Sequence, residues 1–113
     1  MPLDGRTQDF VPAETEVDEV GKVLLRAAEI VRERWQQGGL GFRGGRVCAM
    51  GAIHEASGAS HDEWGGSYNR LAKKADGRLS DFIGRWIALW NDAKGRTAEE
   101  VAQAMEAAAR MKE

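Results

Sequence analysis

A chain of 113 residues has room for one domain, and 42% apolar with 30% charged residues is a globular balance that excludes an intrinsically disordered chain. Sixteen basic against 18 acidic side chains give a net charge of −2, which excludes the overall positive charge of a tight nucleic-acid binder. The single cysteine, Cys48, excludes an intramolecular disulfide.

A lone thiol fits a reducing cytoplasm, and cytoplasmic localisation is the expectation. Met1 to Pro12 lacks a basic start followed by an apolar run, so no signal peptide is expected there. No apolar run is long enough to span a bilayer. Residues 1–14 hold both prolines, Pro2 and Pro12, and no periodicity. They are expected to form a flexible N-terminal arm, with Phe10 and Val11 able to dock on the core of a single helical domain over 15–113.

The first helix is predicted from about Glu16 to Trp35, capped by Thr15. Val20, Leu24, Ala27, Ala28, Val31 and Trp35 recur at helical spacing and form one apolar stripe. Arg26, Arg32 and Arg34, interleaved with Glu29 and Glu33, read as a solvated face. Gly38 and Gly39 are the expected stop. Five glycines follow within residues 37–46, but neither a G-x-x-x-x-G-K-[ST] loop nor a G-x-G-x-x-G turn is present. A small β-hairpin near residues 40–48, turning at Gly44-Gly45 with Leu40, Phe42 and Val47 inward, is preferred to a phosphate site.

A short second helix is expected from about Val47 to Ala56. Its small residues Cys48, Ala49, Gly51 and Ala52 suit a close helix neighbour, and a homodimer seam is one reading of them. Ser60 with Glu63 forms a capping box for a third helix, whose apolar face is Trp64, Tyr68, Leu71, Ala72 and Ala75 and which Asp76-Gly77 ends. The fourth is read from Ser80 to Trp90, with Ile83, Trp86, Ile87 and Trp90 on one face. The fifth opens at a capping box, Thr97 with Glu100, and buries Val101, Ala104, Met105 and Ala108. The fold class is all-α: a compact bundle of about five helices.

Chemical signals are sparse. Cys48, near a helix start that would lower a thiol pKa, is the one candidate nucleophile, with His61 as base and Asn91 or Asp92 as orienter. His54 follows Cys48 by six positions, about 240° round a helix, so those side chains should diverge. The alternative for Cys48 is a buried, inert thiol. One cysteine and two histidines match no common zinc pattern, so neither a metal nor another cofactor is expected. Tryptophan is enriched at interfaces. Trp35, Trp86 and Trp90 nonetheless fall on apolar stripes and are assigned to the core, whereas Trp64 and Tyr68, beside the weakening Gly65-Gly66 pair, are the candidate partner-binding residues. Asn91-Asp92 reads as a helix end and turn.

Two segments carry a resemblance. Leu24 to Glu29, Trp35, Gln37-Gly38 and Gly45-Arg46-Val47-Cys48-Ala49-Met50-Gly51-Ala52, together with Trp90-Asn91-Asp92-Ala93-Lys94-Gly95-Arg96-Thr97-Ala98-Glu99-Glu100-Val101, resemble a family of small actinobacterial and actinobacteriophage proteins of uncharacterised function. The likeness covers roughly residues 20–108. The chain departs from the pattern at Lys94, where Pro is common, and over Gly39 to Gly44, where a more acidic loop is usual. The resemblance implies a bacterial or phage protein and no activity. The expectation is a non-enzymatic module that binds another protein, with a Cys48-dependent enzyme and a homodimer as rivals; no membrane or nucleic-acid partner is expected.

Overall fold

The structure is a computed structural model that describes residues 17–58 and 69–111. Five helices follow in order: α1 (Glu19–Arg34), α2 (Ala49–Ala56), α3 (Arg70–Ile83), α4 (Ile87–Asn91) and α5 (Ala98–Ala109). The architecture is an all-α bundle, and no helix of the described residues is long and apolar enough to cross a membrane. Thr15, His61, Trp64 and Tyr68, the arm over 1–14 and the Ser60–Glu63 box lie outside the described residues.

The α1 stripe works as its spacing predicts. Val20, Leu24, Ala27, Ala28 and Val31 are buried, and they pack chiefly on α5, where Val101, Met105 and Ala108 face them. Burying a side chain such as Leu24 contributes about 1.5–3 kcal/mol. The cap is Asp18 rather than Thr15: its carboxylate accepts from the Gly21 amide at 2.8 Å. The helix also ends earlier than expected, with Trp35 already extended, so Gly38 and Gly39 are not its stop. Val47 then closes the following loop from both sides. It bridges Trp35 in parallel and Gly41 in antiparallel fashion, and its carbonyl accepts from the Gln36 amide at 2.9 Å.

A turn forms one residue earlier than predicted, centred on Arg43-Gly44 with Gly45 N–H donating to the Phe42 carbonyl at 2.8 Å, and two of the three side chains expected inward face out. Val47 is fully buried, whereas Phe42 is 75% exposed and Leu40 lies at the surface. Only isolated bridges form, so no strand exists among the described residues to orient alternate side chains.

Larger corrections concern the middle of the chain. Helix α2 starts at Ala49, with Cys48 as its N-cap, and its small residues are used within the molecule. Ala49 and Ala52 have no exposure, and a Cβ on Gly51 would lie 2.3 Å from the Leu40 carbonyl oxygen. Asp76-Gly77 does not end a helix. Helix α3 runs through both residues, burying Ala72, Ala75 and Leu79, and stops at Gly84 in the left-handed conformation, φ +77°. What was read as one helix from Ser80 to Trp90 is therefore the end of α3, a turn, and the short α4.

Charged residues tie the helices together. Arg32 of α1 is clasped by Glu99 at 2.7 Å and Glu106 at 2.6 Å on α5, and Arg34 pairs with Glu55 of α2 at 2.7 Å. This side of α1 is an inter-helix seam rather than only a solvated face. Buried Arg78 of α3 reaches Asp18 at 2.6 Å. The guanidinium of Arg32 holds Glu99 down to about 2 from its ordinary 4.5, and Arg78 likewise lowers Asp18. Burial opposes ionisation of Glu55, but Arg34 and the Gly44 amide outweigh it and lower that carboxyl too.

All three folded values lie below the unfolded ones, so the unfolded chain binds more protons in the acid range. The stability they contribute is full above the ordinary carboxylate values and is lost as pH falls through the folded values. Thermal unfolding monitored by circular dichroism is expected to show a Tm that falls steadily below about pH 4.5. Arg32→Ala should make that fall shallower. An acid profile unchanged by Arg32→Ala would remove the α1–α5 clasp as its source.

Candidate functional site

The C-terminal end of α4 gathers the two segments that carry the sequence resemblance. Asn91, its last residue, has no solvent exposure. Its Oδ1 accepts from the Trp35 indole Nε1 at 2.6 Å and from the Ala49 backbone N–H at 3.0 Å. Its Nδ2 donates to the Gln36 carbonyl at 3.2 Å and to Asp92 Oδ1 at 2.9 Å. A primary amide offers two donors and an acceptor oxygen with two lone pairs, so Asn91 is saturated. Asp92 Oδ1 also takes the Gly38 amide at 2.9 Å, and Gln37 Nε2 donates to the Asn91 and Ala93 carbonyls at 3.0 and 2.9 Å. Arg96 lies 4.3 Å from the centre of the Trp90 ring and donates to the Trp90 carbonyl. Thr97 and Glu100 close the predicted capping box that starts α5.

Beside this cluster lies a recess of about 310 Å³ bordered by Leu40, Cys48, Met50, Asn91 and Asp92. Three of the four residues expected of a cysteine enzyme therefore meet there, and the fourth, His61, lies outside the described residues. The thiol does not have the predicted electrostatics. Burial pushes the Cys48 pKa up, and the negative charge of Asp92 adds to the rise, against a smaller downward pull from the Gly51 and Met50 amides. The expected lowering at a helix start is overturned because a cap position only 7% exposed loses more from desolvation than the amides return. His54 is turned away to Asp76 of α3, Nε2 to Oδ2 3.7 Å, and does not border the recess. Among the described residues no group of three or more His, Cys, Asp or Glu could hold a metal ion.

A second hollow, about 580 Å³, joins the recess at Met50 and Ala88 and runs between α2, α3 and α4. Met50, Gly77, Trp86, Ile87 and Ala88 give it a largely apolar wall, and Lys73, Ser80 and the buried Asp76 also line it. Trp86 is not in the core, as its stripe implied: it is 76% exposed, and Leu89 beside it is 70% exposed. The left-handed turn at Gly84 re-aims the chain, and a hydrogen bond from Ser80 Oγ to the Arg85 carbonyl at 2.9 Å holds the corner. Helix α4 then restarts with Ile87 and Asn91, four apart, facing inward, which leaves Trp86 and Leu89 outside. A further hollow of about 450 Å³, lined by Asp81, Gly84 and Arg85, lies on the other side of Trp86. Trp35 and Trp90, by contrast, are partly buried and pack against the core as expected.

This apolar ledge is the surface feature that the sequence reading missed. Its signal was Gly84, two residues before Trp86, as a helix stop. The family model described as "Family of unknown function (DUF6197)" matches residues 15–111. No curated protein and no solved structure matches the chain.

Proposed function

We propose, for a chain that belongs to the family of unknown function DUF6197, that it is a non-enzymatic protein-interaction module whose partner seats on the ledge formed by Trp86, Leu89 and the adjoining apolar hollow. The observation that carries this reading is the exposure of Trp86, which lines a largely apolar hollow, and of Leu89 three residues on. Tryptophan is enriched among interface hot spots, which lie in desolvated pockets, and a contiguous exposed apolar patch on a small domain marks a contact surface. Trp64 and Tyr68 remain part of the proposal as a second contact. The resemblance of the two segments to actinobacterial and phage proteins supports an accessory protein of the bacterial cytoplasm.

The test is a paired capture. Wild type and the Trp86→Ala/Leu89→Ala variant are used as baits in lysate of the source cell, and the partner found is then purified and titrated against both. A loss of about tenfold or more in affinity with unchanged helical circular dichroism is the expected result. Equal affinity for both baits would sink the ledge as the contact surface.

A second reading is favoured by one observation, the convergence of Cys48, Asn91 and Asp92 on one recess. Against a thiolate enzyme stand the upward push on Cys48 and the saturation of Asn91, which leaves it no bond for orienting an imidazole. Thiol labelling of the native protein from pH 5 to 9 is expected to be slow throughout, with fast labelling only after denaturation. Rapid native labelling with a midpoint below about 8.5 would reverse the order of the two readings.

A further inference from the structure

The exposed side of α3 breaks two rules of helix stability next to the ledge. Arg70, Lys73 and Lys74 occupy its first turns, and no acidic residue is there to suit the positive end of the helix dipole. They are spaced three and four residues apart, where like charges repel. None of them, nor Arg85 past the turn, makes an ion pair among the described residues, although Arg32, Arg34, Arg78 and Arg96 all do. Between residues 70 and 86, the only exposed carboxylate is Asp81. The same face carries Gly77 in mid-helix, with nothing within 4 Å of where its Cβ would stand. Neither a left-handed backbone nor a close neighbour among the described residues requires glycine there, and it forms part of the wall of the apolar hollow.

A row of lone cations is ordinarily just a solvated face. Here the row borders an apolar cavity, Lys73 lines that cavity, and the cations sit where the helix itself would favour acids. The chain as a whole is net negative, so this concentration of positive charge runs against its composition. Local rules broken together on one face, with no compensating ion pair among the described residues, are expected where a surface serves a ligand.

We infer that the ledge takes an acidic amphipathic segment of a partner protein, an apolar side chain entering the hollow beside Trp86 and carboxylates meeting Arg70, Lys73, Lys74 and Arg85. This rests on the interaction reading above and adds the chemistry of the partner. The bare backbone at Gly77 lets the incoming segment lie close to α3. Carboxylates flanking an apolar anchor match the geometry better than a nucleic acid does, since the hollow offers an apolar wall where a phosphate backbone would need charge.

The test pans a displayed library of peptides about four helical turns long, random in charge, against the full chain and against Trp86→Ala. Enriched peptides are then titrated by fluorescence anisotropy against wild type, Trp86→Ala and Lys73→Glu/Lys74→Glu. Circular dichroism is run on every variant; the double variant should keep its helicity, because acids suit the start of α3. The expected result is enrichment of acidic peptides with an aromatic or aliphatic anchor. Their binding should weaken about tenfold or more in either variant and with added salt, and charge-reversed peptides should recover binding to Lys73→Glu/Lys74→Glu.

Peptides that depend on Trp86 but are neutral or basic would overturn the acidic partner and leave the interaction reading standing. No Trp86-dependent peptide at all would overturn both. A labelled single-stranded oligonucleotide bound at moderate salt, lost in Lys73→Glu/Lys74→Glu but kept in Trp86→Ala, would assign the basic row to nucleic acid and end the inference.

Discussion

Asn91→Ala is expected to destabilise the protein by about 3–4 kcal/mol, a large share of the roughly 5–15 kcal/mol that holds a domain of this size together. The substitution removes four hydrogen bonds at a side chain with no solvent exposure and leaves the Trp35 indole N–H and the Ala49 amide without an acceptor. Orphaned buried donors carry their full desolvation cost, which is why the effect exceeds that of an ordinary surface polar residue. Thermal unfolding should show a Tm lowered by about 15 °C. Trp35→Phe removes only one donor of the set and should cost far less, about 1 kcal/mol. A double variant less destabilised than the sum of the two would show the residues acting together. A Tm for Asn91→Ala within a few degrees of wild type would dismiss this amide as the structural centre of the α4 end.

Two glycines in helix interiors should respond to alanine with opposite signs. Propensity alone favours the replacement at both by about 1 kcal/mol. At Gly51 the new Cβ would stand 2.3 Å from the Leu40 carbonyl oxygen and 3.0 Å from the Val47 Cβ, so α2 must move off the loop that it packs on. Gly51→Ala is expected to cost about 1–3 kcal/mol net. At Gly77 nothing lies within 4 Å, and Gly77→Ala should stabilise by about 0.5–1 kcal/mol. Urea titrations of the two variants decide the matter. Stabilisation at both positions would mean that the loop yields easily to α2, and destabilisation at both would mean that Gly77 has a packing role.

The contrast also explains what was legible in the sequence. The Thr97–Glu100 capping box rests on residues three apart and stands as read. The helical spacing of Val20, Leu24, Ala27, Ala28 and Val31 is enough to show which face of α1 is buried, although Trp35 lies beyond the helix. The boundary between α3 and α4 was misplaced because Asp76-Gly77 looks like a stop, yet the buried stripe of Ala72, Ala75 and Leu79 outweighs one glycine. Gly84 makes the real stop, and moving the break by seven residues turns Trp86 from a core residue into a surface one. Asn91 looked like a turn residue because its partners, Trp35, Gln36 and Ala49, are more than 40 positions away. Local pattern carries no trace of such a pairing. The upward push on Cys48 was equally hidden, since it comes from burial rather than from its place at a helix start.

The pairing of α1 with α5 has a consequence during synthesis. Val20, Leu24, Ala27 and Val31 leave the ribosome tunnel early, but the face that covers them, Val101, Met105 and Ala108, is made some 70 residues later. Until then the stripe lacks its main cover, and the nascent chain has no complete core to fold around. The interval before α5 emerges is therefore the window in which a chaperone would bind the chain or aggregation would begin.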